Sequence, residues 1–406
     1  MDSIENIAGI DCLFIPINDI NSTSIQIYCK NGSFYETKEN NGISHFLEHM
    51  FFKGGKRYKT VKEIHGMMDK YGFVSNAYTS AENVVYFIKS APIYREQSLD
   101  ILSDMMVNAQ FPEEEIQKEK GVVIQEVKMY EDDPRDYLET RFQLRYYGEN
   151  SYGRPILWPE ENIKKFSREM LFDYKNKLYT KDNIVIVVAG KILDKEGMKK
   201  QIEKQFKDLP SEKTISQQEY IPYAPKEHEK IIEKPCEQSH IIICGKWFDY
   251  FQKQKYGARL LSIIVWWNQS SRLYSKVREE LGLCYYLHST HRTSANFWEF
   301  EICAGLNKEK LEFWISTIFE ILEEIAQGKI TREEFENAKT YLIGNYQMGI
   351  EGSLEFASFY GSQLIYKKTP ETLEEITEHF KNVTYEEVLD LCSMLKRENL
   401  YLAYTK

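Results

Sequence analysis

The sequence predicts an α+β protein built as two copies of one α/β sandwich, each an antiparallel-rich sheet with helices on one face. Three observations predict it. Strand-like alternation and amphipathic helical spacing intermingle through the chain. A polar, proline-bearing stretch at 208–229, with Pro210, Pro222 and Pro225, interrupts them midway. Two segments of the first half also return in the second, in the same order and at nearly equal offsets. Phe111-Pro112-Glu113-Glu114-Glu115-Ile116 is echoed by Ile330-Thr331-Arg332-Glu333-Glu334-Phe335, an offset of 330 − 111 = 219. Lys181-Asp182-Asn183-Ile184 is echoed by Arg397-Glu398-Asn399-Leu400, an offset of 397 − 181 = 216. Amphipathic helices resemble one another, but matched offsets in one order favour duplication. The expected division is 1–212, a linker at 213–228, and 229–406.

Taken in order, Ser24-Ile25-Gln26-Ile27-Tyr28-Cys29-Lys30 alternates apolar and polar side chains and stops at Asn31-Gly32, which reads as a half-buried strand and a turn. Residues 41–50 form a helix closed by Gly54-Gly55, and 60–71 form another with Gly72 as its C-cap. Residues 73–80 and 83–89 read as two paired strands. Residues 95–108 are amphipathic through Leu99, Ile101, Leu102, Met105 and Met106. A long helix starts after Pro112, with Glu113, Glu114 and Glu115 suiting its positive end, and stops before Asp132-Asp133-Pro134. Residues 183–190 are a buried strand.

Composition narrows the function. The chain has 406 residues, 42% hydrophobic and 28% charged, as a folded protein of two or three domains requires. A formal net charge of −10 disfavours nucleic acid or anionic lipid as principal partner. The seven cysteines are odd in number and scattered, which reads as reduced core residues. No apolar run approaches the length of a membrane span, and the acidic start lacks signal-peptide features, so a cytoplasmic location with no membrane partner is expected.

The chemistry concentrates in His45-Phe46-Leu47-Glu48-His49. On a helix, His45 and His49 stand one turn apart on one face, as two imidazoles must to grip one metal ion. Glu48 lies beside them, within reach of a water at an open coordination position. This H-x-x-E-H order is a zinc-hydrolase helix read backwards. Ile43, Phe46, Leu47 and Met50 also suit a buried helix with incidental histidines, so a third ligand is needed to decide. Glu126 stands farther along, at an offset of 126 − 49 = 77 from His49, and Glu119 lies two turns before it on the long helix. Read alone, both fit a solvated acidic face.

The pentad, this spacing and the words around them resemble the pitrilysin-like zinc metallopeptidases, or inverzincins. Its short members, the mitochondrial processing peptidase β-subunits and bacterial relatives, are most similar. The matching words are Gly42 to Met50, Asn76-Ala77-Tyr78-Thr79-Ser80, and Glu119 to Glu126 leading into Asp132-Asp133-Pro134. The resemblance implies one Zn²⁺ per chain on His45, His49 and Glu126, with Glu48 as general base and Glu119 as a supporting carboxylate. It places Asn76 and Ala77 on a substrate-binding strand. It assigns Arg278 and Tyr285, seven residues apart after Ser271-Arg272-Leu273, to orienting the peptide. Without it, they read as a helical ion-pair residue and the start of a strand. Gly54-Gly55 stands where Gly-Thr is usual.

The implied protein is a zinc endopeptidase for unfolded peptides, one half of a clamshell chamber completed by a second copy or a related chain. A non-catalytic subunit of a heterodimeric processing peptidase is the alternative, against which the intact His45, Glu48, His49 and Glu126 argue. By the repeat offset Glu126 and Glu119 correspond to Asn345 and Ala338, so only the first copy is expected to bind metal. Trp266-Trp267 and the 14% aromatic content read as core and chamber lining rather than a carbohydrate platform.

Overall fold

A computed structural model describes residues 3–157, 159–220, 228–282 and 284–406, with the Tyr285 side chain also outside the described set. It contains two sheets. The strands of the first are β1 (Glu5–Ile7), β2 (Ile10–Pro16), β3 (Thr23–Cys29), β4 (Val74–Thr79), β5 (Val84–Ser90) and β6 (Ile184–Gly190), in the order β1-β2-β6-β3-β5-β4. Those of the second are β7 (Glu229–Ile232), β8 (Gln238–Phe248), β9 (Cys284–Thr293), β10 (Trp298–Asn307) and β11 (Tyr401–Thr405), in the order β7-β11-β8-β10-β9.

The duplication is visible in this topology. Without β1, the first order maps onto the second strand for strand, and in each sheet one pair is parallel, β2 with β6 and β7 with β11. The register keeps the offset. Tyr28 faces Val185 and Val85, and Cys244 faces Tyr401 and Glu301, so all three positions move by the same 216.

Among the described residues the helices of the first half are α1 (Ile43–Phe51), α2 (Val61–Tyr71), α3 (Arg95–Val107), α4 (Glu113–Asp132), α5 (Pro134–Tyr147), α6 (Glu160–Lys165), α7 (Arg168–Leu178) and α8 (Lys195–Gln205). Those of the second are α9 (Gln254–Ser262), which continues as a wider π turn over Ile263–Trp267, then α10 (Leu311–Ala326), α11 (Arg332–Met348), α12 (Ser353–Leu364), α13 (Leu373–Asn382) and α14 (Tyr385–Cys392). The boundaries follow local chemistry. Thr60 caps α2, accepting a hydrogen bond from the Glu63 N–H, and Gly72 closes it in the left-handed region, as expected. Asp133 caps α5 just before Pro134, so the long helix stops where proline forbids it to continue.

Two compact units result, and they are not the two halves of the chain. The first comprises residues 1–128, 149–220 and 349–371; the second comprises 129–148, 221–348 and 372–406. In the first unit, α1, α3 and α7 bury Phe46, Leu102 and Leu171 against Ile27, Ile88 and Ile186 on one sheet face. Sequence patterning places helices on this face alone. The other face is covered too, by α12, whose Tyr360 and Leu364 pack on Leu13, Tyr28 and Val187. The approach is close: a Cβ at Gly361 would stand 2.2 Å from the Tyr28 ring, so only glycine fits there. Of the expected linker, residues 221–227 lie outside the described set, while Gln218 N–H donates to the Phe34 carbonyl within the first unit.

In the second unit α5 covers the outer face of its sheet as α12 covers the first, burying Phe142 and Tyr146 against Tyr401. Beneath it lie two carboxylates of β10. Glu299 is fully buried and accepts a short hydrogen bond from the Tyr147 hydroxyl; Glu301, 1% exposed, sits 3.1 Å from the Arg292 guanidinium. Burial pushes Glu299 up to about 8, against the opposing pull of Tyr147 and Arg292. The seven cysteines are all free. No helix among the described residues is long and apolar enough to cross a membrane.

Candidate metal centre

The first turn of α1 is held by a residue that sequence reasoning passed over. Glu36, 1% exposed, accepts hydrogen bonds at 2.8 Å from the backbone N–H groups of Gly42 and Ser44 and from the Asn41 amide. These are the orphan donors of a helix start, and a carboxylate there also meets the positive end of the helix dipole. Gly42 has φ 95°, a left-handed turn that admits glycine, and from it the chain enters the helix. Apolar Ile43, Phe46, Leu47, Met50 and Phe51 are buried, so the opposite stripe, His45, Glu48 and His49, is aimed at a fixed place.

The two imidazoles converge. Nε2 of His45 and Nε2 of His49 lie 3.3 Å apart, and the Glu126 carboxylate of α4 stands 3.9 and 3.6 Å from them. Ligand atoms of these three residues all fall within 4.8 Å of one another, and no other such group of three occurs among the described residues. The spacing fits zinc: two nitrogens bound about 2.0–2.1 Å from one ion at the tetrahedral angle stand about 3.3 Å apart. The tautomer fits as well. His49 Nδ1–H donates to Glu119 Oε1 at 2.7 Å, which leaves the lone pair on Nε2, the atom turned toward His45. Glu119 in turn is 2.5 Å from Lys53 Nζ. Sequence reasoning did not single out Lys53, although it follows His49 by one helical turn.

Charge in the site follows these contacts. Burial holds His45 down to about 3, so it is a neutral donor at every ordinary pH. Burial also opposes charge on His49, but the Glu119 hydrogen bond and the carboxylates of Glu119, Glu48 and Glu126 outweigh it and raise its pKa. Burial pushes Glu119 upward, yet its bonds to His49 and Lys53 prevail and keep it ionised. Burial, together with the Glu119 charge, raises Glu126. Three carboxylates and two imidazoles in one partly buried cleft suit a divalent cation.

Glu48 points to the same cleft from the next helix position and accepts a 2.5 Å hydrogen bond from Thr79 of β4. Burial raises it, with Thr79 and His49 opposing. Strand β4 is the last in its sheet, so one edge lacks a strand partner among the described residues. Asn76 on it is exposed and Ala77 is buried, the alternation of a strand with one face covered. Thus His45, His49, Glu126, Glu48, Glu119, Asn76 and Ala77 all lie in the first unit. Arg278 and Tyr285 belong to the second. Arg278 is exposed on the helical turn Tyr274–Glu280, its guanidinium 5.5 Å from the Tyr274 ring. Tyr285 is the second residue of β9, with its side chain outside the described residues.

With this geometry in place, comparison with known proteins is decisive. Residues 16–160 match the family described as Insulinase (Peptidase family M16), and residues 165–342 match the Peptidase M16 inactive domain. The chain is 34% identical over 386 residues, 95% of its length and 93% of the relative's, to the uncharacterized zinc protease YmxG of Bacillus subtilis. It belongs to the M16 peptidase family.

An uncharacterized zinc protease of Rickettsia bellii is a further relative, 30% identical over 400 residues, covering 97% of this M16 chain and 91% of that one. Solved structures agree on the fold. A protease from Helicobacter pylori matches with a TM-score of 0.89 at 21% identity, over 100% of this chain and 98% of that one. A Pseudomonas fluorescens protein described as a peptidase M16 inactive domain matches with a TM-score of 0.91 at 19% identity, over 100% and 97%. The M16 inactive-domain match, which ends at residue 342, includes Ala338, the counterpart of Glu119 by the repeat offset.

Proposed function

We propose that this M16 chain is a zinc-dependent endopeptidase acting on unfolded peptides. The observation that carries the reading is the convergence of the His45 and His49 Nε2 atoms, 3.3 Å apart, on the Glu126 carboxylate, with Glu48 beside them. A zinc ion held by His45, His49 and Glu126 would polarise the scissile carbonyl and acidify the attacking water. Glu48, positioned by Thr79, takes the proton of that water and passes it to the leaving amine. The open edge of β4 binds the substrate main chain as an added strand, fixing it beside Glu48 without demanding a sequence. Glu119 holds His49 in the ligating tautomer, and Lys53 keeps Glu119 charged. Arg278 and Tyr285 are assigned to orienting the peptide by family resemblance, which also supports a chamber completed by a second copy or a related chain.

The test is metal analysis of the purified chain together with turnover of a quenched fluorescent, unstructured peptide. About one zinc per chain is expected, with turnover lost to a chelator and restored by zinc. Turnover indifferent to the chelator would sink the zinc mechanism; a chain that neither holds zinc nor cleaves would be a structural subunit. Glu119→Gln should weaken zinc affinity roughly 10- to 100-fold, the usual cost of losing such a supporting hydrogen bond. Competition against a chelating dye measures it, and an unchanged affinity would remove Glu119 from the site.

A further inference from the structure

Two of the three converging residues share α1, and the third does not. His45 and His49 stand one helical turn apart, so the 3.3 Å approach of their rings is built into the helix. Glu126 belongs to α4, and its distances of 3.9 and 3.6 Å from the two rings depend on how α1 is turned about its own axis. Whatever fixes that rotation governs whether three ligands meet or only two.

The inner side of α1 rests on a buried polar cluster, all of it within the first unit. At its centre is Asn31, which sequence patterning reads only as a turn residue and which the fold leaves 0% exposed. Its Oδ1 accepts hydrogen bonds from the Ser44 hydroxyl of α1 and the Tyr174 hydroxyl of α7, each at 3.0 Å, and from the Gly32 N–H at 2.7 Å. Its amide nitrogen faces the Tyr179 hydroxyl at 3.5 Å, and Tyr179 meets the Tyr86 hydroxyl of β5 at 2.9 Å. Ser44, Tyr174, Tyr179 and Tyr86 are all buried, so moving one member would leave the others unsatisfied. The turn that presents Asn31 is anchored too. Gly32 has φ 139°, and a Cβ there would run into the Ser80 carbonyl.

The same cluster meets α1 at its far end. The rings of Tyr86 and Tyr179 stand edge-on to Phe51, with centroids 5.3 and 4.9 Å away. Burial, with the Glu48 charge adding to it, keeps both phenols protonated. The helix is thus gripped on one side at Ser44, just before His45, and at Phe51, two residues after His49.

We propose that Asn31 is a positioning residue of the metal centre: through Ser44 it fixes the rotation of α1, and so the place of His45 and His49 relative to Glu126. That role rests on these three residues holding zinc; the hydrogen bonds do not.

The experiment uses full-length variants and measures zinc affinity by competition with a chelating dye, beside the visible absorption of the cobalt-loaded chain. Ser44→Ala cuts the tie between α1 and Asn31, and Asn31→Ala removes the centre of the cluster. Ser98→Ala is the control: Ser98 is 0% exposed in the same unit, and its hydroxyl bonds go to Ser90 and to the Tyr94 carbonyl, neither of them on α1. Ser44→Ala should weaken zinc binding about tenfold, the low end of the range for groups that hold a ligand in place, and Asn31→Ala should weaken it further. In both, the cobalt bands should shift, because the Glu126 ligand is the one displaced. Ser98→Ala should lower the melting temperature and leave affinity and bands unchanged. Should Asn31→Ala fail to fold, Ser44→Ala decides. Affinity and bands unchanged in Ser44→Ala, or altered alike in Ser98→Ala, would overturn the proposal while the unmutated chain still holds zinc. An unmutated chain that holds no zinc would overturn the zinc reading and the role of Asn31 together.

Discussion

Glu48→Gln should abolish peptide turnover and leave zinc content untouched. Gln keeps the length and planarity of the side chain, and its carbonyl oxygen still accepts from the Thr79 hydroxyl that holds Glu48 at 2.5 Å. It cannot take a proton. Glu48 is not among the three residues whose ligand atoms converge, so the metal should bind as before. General acid–base catalysis of this kind is worth roughly 10²–10⁴-fold, and because one carboxylate serves both attack and departure in the proposed mechanism, the loss in kcat should fall at the upper end. KM should change little, since in the proposed mechanism β4 and not Glu48 holds the main chain. Steady-state kinetics beside metal analysis decide it: turnover within tenfold of the parent chain removes Glu48 from the mechanism.

The second large effect is on stability. Glu299→Gln should flatten its dependence on pH. Burial holds Glu299 up to about 8, whereas an unfolded carboxyl titrates near 4.3. Between those values the folded chain keeps a proton that the unfolded chain has lost. Stability is therefore full below about pH 4.3 and declines as the pH rises toward 8. At about 1.4 kcal/mol per unit the span amounts to a few kcal/mol. Gln mimics the neutral acid and still accepts from Tyr147, so the variant should match the parent at pH 5 and exceed it by a few kcal/mol at pH 8.5. Urea unfolding at the two values checks this; parallel decline in both proteins would show that Glu299 does not carry the slope.

The sequence was most legible where the signal is local. Periodicity placed β3 to β6 and α2 to α4 within a residue or two, and the caps at Thr60, Gly72 and Asp133 with Pro134 explain why. The pentad showed two converging imidazoles because i and i+4 positions share a helix face. Glu126 was legible only through family resemblance, since no local pattern separates it from a solvated face, and the 3.6 Å approach to His49 is a tertiary fact. Glu36 was missed because a carboxylate six residues before Gly42 lies too far from the helix for a capping motif. Lys53 and Thr79 were missed because each acts through a glutamate that folding brings to it. The offsets of 219 and 216 foretold the repeated topology, but nothing in them told which helix would cover which sheet.

That exchange of covering helices has a historical reading. Segment 129–148 from the first half completes the second unit, and segment 349–371 from the second half completes the first. Two separate copies that each lent a helix to the other would have been a domain-swapped pair, and joining their genes end to end would leave this pattern in one chain. Neither half would then ever have been obliged to fold alone. With partnership guaranteed by the peptide bond, the second copy could dispense with the acidic helix positions, and it carries Asn345 and Ala338 there.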